Sequence, residues 1–160
     1  MHDASWYDDP RQLLSERMLA FSWVLAGNRR HTLIKMPALR QNSLESWGDW
    51  GPMHSIKLQS TQQILVTTRC EETGMEQVSH LRPSRLHLES PMRADERERT
   101  PLVLILEDGW RGFRYRLGLA QDGRVGRADV TQIPLWQTAR PSLRLVEEAQ
   151  LRSMHWGGLA

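Results

Sequence analysis

The sequence predicts a mostly β single domain, an antiparallel barrel or a strongly bent sheet, with one N-terminal α-helix. Three observations predict it. First, Pro101 to Thr131 reads as a meander in which apolar density, alternation and turn chemistry agree. Second, about eight strand-like segments follow one another at spacings of roughly 10 to 15 residues with turn signals between them, the pattern of antiparallel sandwiches and barrels. Third, 160 residues and 18.6 kDa suit a single core spanning residues 1–160, with no internal repeat and no low-complexity tract.

In chain order, Asp8-Asp9-Pro10 is a helix start, with carboxylates to accept from free amides and proline where its missing N–H costs nothing. Leu14, Met18, Phe21 and Leu25 then form one apolar stripe, and Gly27-Asn28 is a stop, so a helix is expected from about residue 10 to 26. The alternative is that its second half, Phe21 to Ala26, is the first strand of the sheet. Strands are expected from about residue 29 to 155.

Between Arg29 and Leu39, His31, Leu33 and Lys35 alternate with Thr32, Ile34 and Met36, and Pro37 limits that strand. Asn42 to Pro52 is loop-like but carries Trp47 and Trp50, which either plug the end of the core or form an interaction surface. Ser55 to Ser60 and Gln63 to Cys70 read as strands with Ile56, Leu58, Ile64 and Val66 inward. In Val78 to Ser90, Leu86 and Leu88 alternate with polar residues, and Pro83 makes it an edge strand or splits it. The charged run 91–100 reads as a solvated loop.

The meander opens with Leu102 to Leu106, an apolar run typical of a strand buried on both faces. Glu107-Asp108-Gly109 ends it. Phe113, Tyr115, Leu117 and Leu119 then share one face of the next strand, with Arg114, Arg116 and Gly118 on the other. Asp122-Gly123 signals a tight turn. Toward the C-terminus, Leu143, Leu145 and Leu151 are the buried candidates of a closing strand.

Composition excludes several classes. Net charge is only +2, and Arg93, Arg97 and Arg99 are interleaved with Asp95, Glu96 and Glu98, so no basic stripe for nucleic acid is expected. No membrane span is expected, and the acidic Asp3, Asp8 and Asp9 ahead of the apolar run Met18 to Ala26 argue against a secretory leader. The single Cys70 excludes an intrachain disulfide framework and leans toward a reducing, cytoplasmic setting. The six histidines lack metal-ligand spacing, so no metal is expected. No G-x-S-x-G elbow is present, and Gly123 to Arg127 reads as a hairpin rather than a phosphate loop. Catalytic residues are therefore unassigned, and whether the protein is an enzyme stays open.

One set of residues suggests ligand binding. Arg114 and Arg116 share a strand face, and Arg144 is expected on the last strands near Trp136. They are either exposed residues of a polar face or the lining of an arginine-rich mouth that receives ligand carboxylates. Each bidentate arginine bond would be worth about 1.5 to 3 kcal/mol when sheltered. Tyr115, Trp110 and Trp136 would stack on a conjugated body.

The segment Trp136-Gln137-Thr138-Ala139-Arg140-Pro141-Ser142-Leu143-Arg144-Leu145, followed by Arg152 and Gly157-Gly158, resembles the C-terminal end of the lipocalin-like, S-type phycobiliprotein lyases, and Leu14-Ser15-Glu16-Arg17 is similar to their entry into the first strand. The chain departs from that pattern in one extra residue before Pro141, in Ser142 where asparagine is usual, and in a longer spacer before Gly157. The resemblance implies a lipocalin-like antiparallel β-barrel that binds a linear tetrapyrrole (a bilin) as ligand or substrate, with no tightly bound cofactor. It implies a chromophore lyase that delivers the bilin to a cysteine of a phycobiliprotein subunit, with Trp136 and Arg144 lining the pocket. The acceptor thiol would belong to the partner, and the lyase would work by positioning and shielding the bilin. The alternative is a non-enzymatic interaction or assembly protein using Trp47, Trp50 and Trp156 as an exposed apolar surface. A homodimer is compatible with either.

Overall fold

The computed structural model describes residues 10–39, 44–45, 53–91 and 93–136. The expected N-terminal helix is cut short: α1 covers only Pro10–Leu14, and Met18–Leu25 is the first strand, β1. The apolar stripe is ambiguous because Phe21 and Leu25 belong to a helical repeat and to a strand alternation alike. Packing decides: Leu19 and Trp23 are buried, while Met18, which the helical stripe turns inward, is 54% exposed. Glu16 breaks the helix with φ 57°, and its N–H is taken by the Pro37 carbonyl. Ala26 and Gly27, both at positive φ, form a two-residue turn into β2, Asn28–Lys35.

Eight further strands follow: β3 Leu44–Glu45, β4 Met53–Lys57, β5 Ile64–Cys70, β6 Glu76–Leu81, β7 Arg85–Glu89, β8 Leu102–Asp108, β9 Phe113–Leu119 and β10 Val125–Gln132. Ten strands are thus described against about eight expected: Met18–Leu25 is strand rather than helix, Pro83 splits the segment after Val78, and two residues of the Trp47 loop pair with β4, while the closing strand expected at Leu143, Leu145 and Leu151 lies outside the described residues. The charged run 91–100 is not wholly loop, since Ala94–Arg99 forms α2.

Every ladder is antiparallel, in a four-stranded sheet of order β1-β2-β5-β6 and a six-stranded sheet of order β10-β9-β8-β7-β4-β3. The fold is mostly β, but among the described residues neither sheet closes into a barrel. Cα atoms of β1 and β10 approach within 8 Å without a ladder between them.

The two sheets face each other across one core. Leu14, Leu19, Ile34, Met36, Ile64 and Leu81 meet Leu88, Leu102, Leu104, Leu117 and Leu119 there. α1 closes this apolar end: Leu14 is buried, Ser15 Oγ accepts from the Leu39 amide, and the Arg17 carbonyl accepts from the Met36 amide. The inward residues expected at Ile56, Leu58, Ile64, Val66, Leu86 and Leu88 are all buried. α2 and Thr100 lie over the outer face of the six-stranded sheet, where a Cβ on Gly118 would come within 2.9 Å of Thr100.

Candidate binding site between the sheets

The interior changes character at the end formed by the β1–β2, β5–β6 and β8–β9 turns. The inward alternation of β2 runs Met36, Ile34, Thr32, Arg30, and that of β5 runs Ile64, Val66, Thr68, Cys70. The register sets Arg30 beside Trp23 and Cys70, and Thr32 beside Thr68. Across the core, β8 carries Leu102, Leu104 and Leu106 inward and then Asp108 in the same phase. A charged residue thus occupies a position that strand geometry commits to the core.

The groups at this end form a connected set. Trp23 Nε1 donates to Thr32 Oγ1 at 2.8 Å, and Thr32 and Thr68 share a bond of 2.9 Å. The Arg30 guanidinium sits 5.4 Å from the Trp23 ring centroid, where the ring face attracts the charge. Burial lowers the Arg30 pKa, and Cys70 and Tyr115 oppose that shift. Burial pushes the Cys70 thiol up, but bonds from Thr73 and Glu72 and the Arg30 charge outweigh it and leave its pKa lowered. Trp23 packs edge-on against Phe113 at 5.0 Å and against Tyr115 at 6.3 Å.

Asp108 is the focus. It is 0% exposed, and its Oδ1 accepts from the amides of Trp110 and Arg111, each at 3.1 Å, which shapes the β8–β9 turn. Its Oδ2 is buried and has no hydrogen-bond partner among the described residues. Burial raises the carboxyl's pKa; Ser79, the Arg111 amide and charge, and the Trp110 amide pull the other way. Of the groups that oppose the shift, the Ser79 hydroxyl does so most. Tyr115 is likewise pushed up by burial and by the Asp108 charge.

Around Asp108 lies a cavity of about 10 Å³ lined by Trp23, Thr68, Gln77, Ser79, Arg111 and Tyr115, among others. That is room for about one water molecule. Arg111 spans its rim, with Nε donating to Ser79 Oγ at 3.3 Å and Nη2 to the Val78 carbonyl at 3.4 Å. A roomier, open recess of about 410 Å³ lies on the outer face of the four-stranded sheet, against Ser22, His31, Leu33, Thr67 and Arg69. No group lining that recess is both buried and unpartnered.

The structure does not gather the residues singled out from sequence. Tyr115 points into the polar end, whereas Arg114 and Arg116 occupy the opposite face of β9. Arg114 Nε donates to Glu107 at 2.6 Å. Arg116 pairs with Glu89 at 3.7 Å, Glu96 at 3.3 Å and Asp129 at 4.0 Å. That places both on the outer face of the six-stranded sheet, Arg114 exposed and Arg116 partly covered by its carboxylates. Trp110 and Trp136 contact each other edge-on at 6.0 Å behind the β8–β9 turn, and Trp136 packs directly on Gly109. Arg144, with Trp47, Trp50 and Trp156, lies outside the described residues.

Sequence reasoning missed Trp23, Arg30, Thr68, Ser79, Asp108 and Arg111 as a group. The signal for two of them was present: Arg30 and Asp108 are charges in phase with apolar alternations. Among the described residues no cluster of three or more His, Cys, Asp or Glu could hold a metal ion, and no helix is long and apolar enough to cross a membrane.

Fold and site together define a two-sheet, mostly β protein with a polar, aromatic-walled pocket at one end of its core. Comparison of the chain with protein-family models, curated proteins and solved structures finds no match.

Proposed function

We propose that the protein binds a small organic ligand at the polar end of its core, the ligand donating a hydrogen bond to Asp108 Oδ2 and laying a flat apolar surface against Trp23, Phe113 and Tyr115. The observation that carries this reading is the buried, unpartnered Oδ2 beside a cavity. Leaving such an oxygen unbonded costs about 1 to 3 kcal/mol, and native proteins retain few of these groups. A ligand donor removes that cost on binding. The cavity holds no more than a water molecule as it stands, so entry requires the β8–β9 turn to move away from β6. Arg111 is the group that bridges them, and β6 is a sheet edge, so the movement breaks side-chain bonds and no ladder.

The bilin expectation is the narrower form of this proposal. A linear tetrapyrrole offers N–H donors for Asp108 and a conjugated body for the aromatic walls. In this form β1 lying beside β10 would complete a lipocalin-like barrel, Arg144 and Trp136 would engage the ligand's periphery, and the acceptor thiol would come from a phycobiliprotein subunit. The resemblance near Trp136 supports it, and so does the aromatic wall. Such a ligand needs a site of about 300 Å³ or more, so this form depends on the turn opening.

The test is a titration with a linear tetrapyrrole, followed by visible absorbance and tryptophan fluorescence, on the wild type, Asp108→Asn and Arg144→Ala. Saturable binding weakened at least about tenfold by Asp108→Asn, a change of about 1.4 kcal/mol, is expected. Binding that ignores Asp108→Asn overturns the site. No binding up to about 50 µM, a standard free energy near −6 kcal/mol, removes the bilin form. The broader reading then stands or falls on a small-molecule thermal-shift screen in which Asp108→Asn must abolish the hits.

A further inference from the structure

We propose that the protein pairs with a second copy of itself through β6, the two strands running antiparallel about Val78. This rests on the sheet edges and not on the ligand reading. Four strands end the two sheets: β1, β6, β10 and β3. β1 and β10 face one another, and β3 has only two residues. β6, with six residues, is the long edge left open among the described residues. Natural edges are usually blunted by proline, lysine or a bulge, yet Glu76–Leu81 reads Glu-Gln-Val-Ser-His-Leu and pairs with β5 in unbroken register.

The register states which groups the edge offers. Cys70 N donates to the Met75 carbonyl at 2.9 Å, so the bonded positions of this ladder continue through the Thr68/Gln77, Val66/Ser79 and Ile64/Leu81 pairs. The backbone N–H and C=O of Glu76, Val78 and His80 therefore point away from β5. The Val78 carbonyl bears this out, since it draws the Arg111 guanidinium from 3.4 Å across the edge.

An antiparallel copy centred on Val78 is self-complementary. Val78 meets the second copy's Val78, and Glu76 meets the second copy's His80 twice over, once on each side of the two-fold axis, as an isologous interface requires. The Glu76 carboxylate then accepts from the His80 imidazole N–H, and the bonded pairs of the new ladder fall at the three residues whose backbone groups are free to make it. Val78 is 43% exposed and Met75 44%, so the pairing also covers apolar surface at its centre and end. Arg111 gives up its long bond to Val78 and keeps Ser79. Strands of this length bury less than about 1,200 Å², the size of weak, reversible complexes.

Sedimentation velocity on the full chain across about 5 to 300 µM tests this, a span that brackets weak association. A concentration-dependent monomer–dimer equilibrium is expected. Val78→Lys, which sets two like charges at the centre, should raise the dimer Kd at least about tenfold. Glu76→Arg should weaken it, and adding His80→Glu to Glu76→Arg should restore it to within about threefold of wild type, because each cross-strand pair again sets a carboxylate acceptor against an N–H donor, with the sides exchanged. All three positions are exposed, and thermal melts confirm that each variant folds. A chain that stays monomeric throughout, a dimer indifferent to Val78→Lys, or a charge reversal that fails to restore pairing overturns the proposal.

Discussion

Replacing Asp108 by asparagine should make the protein more stable and less able to bind. The substituted side chain keeps an oxygen where Oδ1 caps the Trp110 and Arg111 amides and exchanges the buried, unbonded Oδ2 for a neutral amide nitrogen that no longer carries charge into the core. A buried carboxylate oxygen without a partner costs more than the roughly 1 to 3 kcal/mol of a neutral group, because it also carries charge. The amide removes that charge, and its N–H has the neighbouring Ser79 hydroxyl as acceptor, so the substitution should recover about 1 to 2 kcal/mol. For a chain of 160 residues that is a rise in Tm of roughly 2 to 8 °C. Asp108→Ala, by contrast, abandons both capped amides and opens a cavity, and should cost about 2 to 4 kcal/mol.

The pH dependence separates this account from a general stability effect. The Asp108 pKa is raised in the folded state by burial, so the folded protein holds that proton more tightly than the unfolded chain, whose reference is about 3.9. The stability from this group is complete below that reference and is lost as pH rises through the folded value. The Tm advantage of Asp108→Asn should therefore vanish below about pH 4 and grow toward pH 7. Differential scanning calorimetry of the wild type and the two variants at about pH 3.5, 5 and 7 checks this. Equal destabilisation by asparagine and alanine would show that Oδ2 is a satisfied carboxylate, and the binding-site argument would lose its footing.

Three other substitutions probe the surroundings. Arg116→Ala should lower stability by no more than about 1 kcal/mol, because the arginine and its carboxylates are partly solvent-screened, and it should leave ligand titrations unchanged. Gly109→Ala drives a Cβ into the Trp136 ring, so Trp136 must leave; a cost of about 1 to 3 kcal/mol and a red-shifted tryptophan emission are expected. Thr68→Val removes the acceptor and donor that Thr32 shares within the core, and a loss of about 1 to 2 kcal/mol by urea denaturation is expected, with Trp23 emission perturbed.

Much of the sheet was legible because strand geometry writes itself into sequence with a period of two. Phe113 to Leu119 and Arg85 to Glu89 alternate, Ile64 and Val66 mark the inward side of the strand that runs to Cys70, and all three segments are strands. Pro83 reads as an edge or a break and is a break. The Met18 to Leu25 segment is harder, since its apolar residues fit both periods and only the burial of Leu19 and Trp23 settles which one the chain uses. α2 is hidden in a run of alternating charges with no apolar stripe, and none of its residues is buried.

The site divides along the same line. The sequence by itself determined the mostly β class and the inward residues of the strands carrying Ile56, Ile64, Leu86 and Tyr115. Yet the candidate site drawn from it groups Tyr115 with Arg116, although successive side chains leave a strand on opposite faces. What only the tertiary structure decided is which inward faces meet. Trp23 and Thr68, Ser79, and Asp108 come from distant parts of the chain, and nothing local in any of them announces the others. Their meeting depends on how the four-stranded sheet lies over the six-stranded one, a long-range choice made by the apolar half of the core. That packing carries Asp108 inside with one oxygen bonded and the other without a hydrogen-bond partner among the described residues.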